Sequence, residues 1–258
     1  NTSTTKTNKK LAVSQSTVEN EQSTVNALIA WLYKRNETVI DGFEFKTLKR
    51  VDRGLQENRR DTFTDAEIAS ITQVISADIL AAQAAINVEG NRVKALVAYY
   101  FGISILTGAR RGELQQLCWR DIELLDKNLV KITIRGETSK VRRTRQLVVH
   151  DTAKYFKRLK QLHPTQALLF SLCSAVPITA RVISYHFERL LQAAEIQNVA
   201  ERDLVPYSFR HYFITQKVNA NMPLVSIAEM CGTSISQIEK TYYHLTHDAM
   251  ILNALAGV

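Results

Sequence analysis

The sequence predicts a mainly α-helical chain carrying one small antiparallel β-sheet, an α+β arrangement. Three observations support this. Apolar residues recur at helical spacing through most of the chain. Capping signals, left-handed glycine stops and prolines divide those stretches into separate helices. Only two short segments alternate with a period of two, and they flank one turn-rich pentapeptide. With 258 residues, 45% of them apolar and 22% charged, the chain can bury a sizeable core as one large or two modest domains.

Residues 1–15 are polar and basic (Lys6, Lys9, Lys10), and no element is predicted there. Ser16-Thr17-Val18-Glu19 reads as a capping box. It predicts a helix with Val18, Val25, Leu28, Ile29 and Leu32 on one face beside Trp31, closing at Lys34-Arg35. One amphipathic helix cannot bury such a face alone, so it calls for partners. Between residues 41 and 60 the pattern loosens and Lys46, Lys49, Arg50, Arg53, Arg59 and Arg60 gather. That stretch reads as an interdomain linker, either solvated or laid along a DNA backbone.

Thr64-Asp65-Ala66-Glu67 is a second capping box, opening a helix with Ile68, Ile71, Val74 and Ile75 in register. A further helix over 92–106 ends at Gly108, a left-handed cap. Arg110 then starts the next helix, where orphan amides and the helix dipole favour an anion. Val130, Ile132 and Ile134 alternate within 129–135, and Leu147 and Val149 within 146–149. Gly136-Glu137-Thr138-Ser139-Lys140 between them predicts a β-hairpin with Lys140 at its tip. Asp151 is placed to cap a helix that stops before Pro164. From Thr179 onward the pattern is helical, broken at 198–206, 221–223 and 232–234.

The net charge of +8 favours a polyanionic partner, nucleic acid before a membrane surface. Cys118, Cys173 and Cys231 lack the paired spacing of a zinc site or a disulfide framework, which suits structural thiols in a reducing cytoplasm. The longest apolar run, 95–106, falls short of the roughly 20 residues that span a bilayer. A start at Asn1 rather than Met suggests a piece of a longer protein. No Asp/Glu cluster has two-metal spacing, so neither metal nor cofactor is expected.

Several residues carry possible chemistry. Arg110 and Glu113 stand three apart on a helix and can pair. The pair is either an ordinary surface contact or an arginine held so that its planar fork grips phosphate. Lys140 sits in a basic tip with Arg142, Arg143 and Arg145. Such a tip is solvated, touches phosphates non-specifically, or delivers the lysine to a leaving oxygen. Arg210 shares a helix with Phe209, Phe213 and Ile214, so partial burial and an anionic partner are expected, a phosphate or a structural carboxylate. Residues 226–236, with Gly232 at the turn, resemble a helix-turn-helix, which alone would indicate a regulator with Tyr242 and Tyr243 as packing residues. Two arginines, a lysine and a tyrosine together suit metal-free attack on a phosphodiester.

Taken together, Thr107-Gly108-Ala109-Arg110-Arg111-Gly112-Glu113-Leu114, Lys140, Tyr207-Ser208-Phe209-Arg210-His211, Gly232-Thr233 and Tyr242-Tyr243-His244 resemble the motifs of the tyrosine recombinase (phage integrase) family. The resemblance covers 64–258 as a catalytic domain, with 46–63 as a basic linker. Residues 1–45 are less specifically similar to the end of a helical core DNA-binding domain. It implies Arg110 and Arg210 as catalytic arginines, Lys140 as general acid and Tyr242 as the nucleophile, since Tyr242 has the histidine two residues on. Glu113, His211, Tyr207 and Thr233 become auxiliaries, with Arg142, Arg143, Arg145, Lys49 and Arg50 as DNA contacts. Two positions depart from the pattern: Tyr207 replaces the usual histidine or lysine, and Thr233 the usual histidine or tryptophan. A phenol titrates near ~10 against ~6.5 for imidazole, so Tyr207 can donate a hydrogen bond but shuttles protons poorly.

The resemblance further implies a metal- and ATP-independent enzyme that cuts and rejoins double-stranded DNA at attachment-type sites through a 3′-phosphotyrosine. A mobile-element integrase in a bacterial cytoplasm, tetrameric on DNA, is the expectation, with its state when free left open. An inactive or regulatory helix-turn-helix protein and a type IB topoisomerase are the alternatives.

Overall fold

The computed structural model describes residues 13, 15–46, 61–139, 142–150, 152–162, 167–173, 176–239 and 241. The chain divides into two compact units, 1–58 and 59–258. In the first, α1 (Gln15–Lys34) is joined by an extended segment whose Phe43 backbone is held by the Asn26 amide, at 2.8 and 3.0 Å. The helix starts ahead of the box expected at 16–19, with Ser16 already inside it, and Glu19 accepts from Gln15 Nε2, one helical turn back, at 2.9 Å. Val25, Leu28 and Trp31 remain exposed, as a lone amphipathic helix leaves them.

In the second unit, α2 (Asp65–Ala84) begins at the capping box read from the sequence. Glu67 N–H donates to Thr64 Oγ1 and Thr64 N–H to Glu67 Oε2. Ile68, Ile71, Ile75 and Ile79 recur on one face and are buried. They pack against α3 (Glu89–Thr107), which starts three residues before the expected 92. Nearly every side chain from Ala95 to Ile105 is apolar and buried. A helix apolar all round must be surrounded, and α3 accordingly touches α2 and several of the later elements.

The sheet has three antiparallel strands in the order β1 (Ile122–Leu124), β2 (Leu129–Ile134), β3 (Arg145–His150). Val130 pairs with Val149 and Ile132 with Leu147, so one face of the hairpin is apolar and buried. β1 escaped notice because three residues cannot display a period. The β2–β3 connection runs over 135–144, where the predicted strand bounds leave 136–145: a 3₁₀ turn occupies Gly136–Thr138, and β3 begins at Arg145, one residue before the expected 146. α5 (Ala153–Leu162) follows; its expected cap, Asp151, lies outside the described residues. A second hairpin, β4 (Ser171–Cys173) and β5 (Val176–Pro177), gave no alternating signal. α6 (Ala180–Ala193) is capped by Thr179, and α7 (Ser208–Asn219) and α8 (Leu224–Cys231) come next, with residues 235–239 again helical.

Phe63, Phe101, Phe187 and Phe209 form one aromatic cluster, with Phe63 stacked on Phe209 at 5.0 Å between centroids. Residues 61–63 therefore pack with the second unit. Arg202 reinforces this, donating to Asp61, to the Thr62 carbonyl and to Glu67. Phe209 immediately precedes Arg210, so this cluster anchors α7 where the site needs it. Phe209→Ala should cost about 3–5 kcal/mol in chemical denaturation, whereas Val148→Ala, on the exposed sheet face, should stay within about 0.5 kcal/mol.

Candidate active site

The site forms around the C-terminal end of α8. Gly232 adopts the left-handed conformation there, φ 60°, and the chain closes a Schellman motif: Gly232 N–H donates to the Glu229 carbonyl and Thr233 N–H to Ala228. The next three carbonyls, of Met230, Cys231 and Gly232, lie past those bonds. Each accepts from a different arginine. Arg145 Nε donates to Met230 at 2.9 Å, Arg210 Nη2 to Cys231 at 2.6 Å and Arg110 Nη2 to Gly232 at 2.7 Å. A buried helix end needs such partners, and its negative dipole end favours cations.

The three arginines come from distant parts of the chain. Arg110 is the N-cap residue of α4 (Arg111–Gln115). The left-handed turn at Gly108, φ 60°, directs the chain from α3 into that position. A Cβ on Gly108 would stand 2.5 Å from the Phe213 ring, so glycine is required there by conformation and by space. Arg210 lies in the first turn of α7, 3% exposed, and its Nη1 donates to the Gly108 carbonyl at 2.8 Å. In place of a structural carboxylate, two backbone carbonyls accept from Arg210 among the described residues. Arg145 opens β3.

Glu113 joins two of these arginines. Its carboxylate, 2% exposed, takes both Arg145 Nη atoms, at 3.0 and 2.8 Å, together with Arg110 Nη1 at 3.2 Å and the Arg110 N–H at 2.9 Å. The last bond satisfies the N-cap amide of α4 within the chain. Burial pushes the Glu113 carboxyl up, but the Arg145 hydrogen bonds and charge, with the Arg110 amide and charge, outweigh it and hold the group below the ordinary range.

Arg145 also departs from its expected place. Anticipated as a DNA-facing cation, it has a side chain only 9% exposed and commits its guanidinium to Glu113 and Met230. A Cβ on Gly232 would stand 2.8 Å from that guanidinium. The sequence did hold the signal: Arg145 alternates in phase with Leu147 and Val149, the buried face of β3. Arg142 and Arg143 are exposed. Tyr207 sits at the N-terminus of α7 with its ring 5.1 Å from that of His211 and 5.9 Å from Arg210 Cζ. Thr233 supplies the Schellman amide. Cys231 is buried at the centre; burial raises its thiol despite the neighbouring arginines, which suits a structural role. Lys49, Arg50, Lys140, Tyr242, Tyr243 and His244 lie outside the described residues.

Three guanidinium groups and one carboxylate leave two positive charges over. The described residues place no second carboxylate within bonding distance of the three arginines. Each guanidinium carries five N–H groups, and the bonds described use only two side-chain donors on Arg110 and two on Arg210. Such an arrangement can take a tetrahedral oxyanion. Among the described residues no group of three or more His, Cys, Asp or Glu could hold a metal ion, and no helix is long and apolar enough to cross a membrane.

The phage integrase family model matches residues 63–248, and the chain belongs to that family, the tyrosine recombinases. Among solved structures, XerH site-specific recombinase bound to palindromic difH substrate, a post-cleavage complex, matches with a TM-score of 0.69 at 19% identity. The match covers 95% of this chain and 68% of that one. XerH bound to difH before cleavage gives 0.66 at 18%, over 89% of this chain and 62% of that one. The Tn1549 transposon integrase in complex with transposon right end DNA gives 0.63 at 17%, over 94% and 81%. These likenesses show the mostly helical fold with small antiparallel sheets expected of the catalytic domain. The chain spans somewhat under two thirds of the length of the pre-cleavage XerH chain. Among curated proteins none matches.

Glu113 supplies a pH test. Because its folded pKa lies below the ordinary 4.5, its contribution is fully present above that value and is lost as pH falls through the folded one. Glu113→Gln leaves the buried Arg145 without its anion and should cost about 3–5 kcal/mol at neutral pH. The gap to wild type should narrow steadily below pH 4.5, as followed by urea denaturation at stepped pH.

Proposed function

We propose that this chain is the DNA-cleaving part of a site-specific recombinase of integrase type. The observation that supports it best is the convergence of Arg110 and Arg210 on one buried cluster that retains excess positive charge and spare donors. Phosphoryl transfer needs its charge stabilised on the non-bridging oxygens, a nucleophile in line and a proton for the leaving oxygen. Arg110 and Arg210 clamp the scissile phosphate. The Tyr242 hydroxyl oxygen, its proton passing to solvent water, bonds to phosphorus as the bond to the 5′ oxygen breaks. Lys140 donates the proton that converts that oxygen into a 5′ hydroxyl. A 3′-phosphotyrosine results, and attack by a second 5′ hydroxyl reverses the step without ATP.

Neither Lys140 nor Tyr242 needs to travel far along the chain to serve this clamp. The loop bearing Lys140 runs into β3 at Arg145, which is bonded into the cluster. The segment leading to Tyr242 leaves from Gly232 and is pinned by buried Ile238. Tyr207 and Thr233 act as hydrogen-bond donors to the phosphate, and Arg142 and Arg143 as contacts to flanking phosphates. The substrate in this reading is double-stranded DNA at the attachment-type sites of a mobile element, phage or transposon, in a bacterial cytoplasm. Strand exchange between two duplexes calls for four protomers. The transposon and XerH complexes, though similar to this chain in fold alone, and the net charge of +8 agree with this reading.

Covalent trapping tests it. Nicked suicide duplexes carrying candidate element ends are incubated without metal and resolved on a denaturing gel. A slow-migrating adduct is expected with wild type and none with Tyr242→Phe, which should still bind DNA. An undiminished adduct would move the nucleophile elsewhere, and firm binding without any adduct would indicate a DNA-binding relic.

A further inference from the structure

We propose that Arg145 is a positioning residue of the phosphate site, which keeps Glu113 from neutralising Arg110; the inference rests on the phosphate-clamp reading above. Arg145 differs from the other two arginines in how it is spent. Its Nε and both Nη groups are engaged, on Met230 and on both oxygens of Glu113, and its side chain is 9% exposed. It offers little to a ligand. Arg110 meets the same carboxylate through a single side-chain bond of 3.2 Å, longer than either Arg145 bond. Its other described side-chain bond goes to a neutral carbonyl.

The geometry points to a division of labour. A buried carboxylate claims the strongest cation available, in the bidentate fork that suits guanidinium. Arg145 fills that fork, so Arg110 keeps its charge for a third party while still being oriented by Glu113. With all four groups present the cluster carries two excess positive charges. Removing Arg145 leaves one, and also frees Glu113 to take Arg110 as its sole ion partner. Removing both Arg145 and Glu113 returns the excess to two. A residue needed only for packing would show no such reciprocity.

The Met230 bond adds a second function. Arg145 ties the first residue of β3 to the end of α8, so the loop before β3 and the segment after α8 are referenced to one guanidinium. In the proposed reaction those two stretches carry Lys140 and Tyr242. Arg145→Lys keeps the charge but has no planar fork, so it separates the electrostatic role from the geometric one.

The test is calorimetric titration of the 258-residue chain with inorganic phosphate at low salt. Wild type, Arg145→Met, Arg145→Lys and Arg145→Met/Glu113→Gln are compared, each checked for cooperative unfolding. Arg145→Met should weaken phosphate binding by about tenfold or more, the scale of one charge-assisted bond. The double variant should recover most of that loss, and Arg145→Lys should lie between wild type and Arg145→Met. Wild-type affinity in Arg145→Met, or a double variant as weak as the single one, overturns the inference while leaving the phosphate clamp intact. If Arg145→Met does not fold, the decision falls to Arg145→Lys and the double variant: phosphate affinity in the double variant more than about tenfold below wild type overturns the inference. Failure of wild type itself to bind phosphate overturns the clamp and this inference together.

Discussion

The site depends on one requirement: the buried end of α8 must have its carbonyls satisfied. A Schellman closure accounts for Ala228 and Glu229, and the next three carbonyls then face the interior of the cluster. An unpaired buried carbonyl costs about 1–3 kcal/mol. Three together would threaten a domain whose whole stability is on the order of 10 kcal/mol. Three arginines remove that cost and are themselves fixed in place by it. Helix end and guanidinium groups thus hold each other, so the binding geometry exists before any ligand arrives.

Desolvating three arginines is expensive, and one carboxylate repays only part of it. Glu113 offsets one of the three charges, chiefly that of Arg145, and carbonyl dipoles meet part of the rest. The cluster therefore remains short of negative charge, a state that a packed interior would not tolerate without surrounding rigidity. The aromatic group of Phe63, Phe101, Phe187 and Phe209 provides it from beneath α7. Gly108 provides it from α3: its left-handed turn starts the Arg110 segment, its carbonyl receives Arg210, and its missing Cβ admits Phe213. A deficit of charge held on a stiff frame is what an oxyanion-stabilising site requires.

The same frame explains how the second unit begins. Arg202 gathers Asp61, Thr62 and Glu67 around one guanidinium, and Tyr212 and Gln216 of α7 both donate to Asp65 in the first turn of α2. The helix that carries Arg210 is thereby bonded to the point where the linker ends. Burial of Phe63 completes that attachment. The acidic residues at this edge, Asp61 and Glu67, are ion-paired with Arg202.

What the sequence by itself determined was local in origin. The Thr64 capping box, the Gly108 stop, the alternating β2–β3 pair and the helices after Thr179 follow from hydrogen bonds and steric preferences within a few residues. So does the proximity of Arg110 and Glu113. The motif pattern also led to the family and to Arg110 and Arg210 together. Only the tertiary structure decided what each charge faces. Arg145 turns inward with its strand phase rather than outward as a surface cation, Arg210 meets carbonyls where a structural carboxylate could have stood, and β1, β4 and β5 are too short to announce themselves. Backbone carbonyls look alike in every residue of a sequence. Which of them a buried arginine will meet is settled only when helices over a hundred residues apart in the chain pack together.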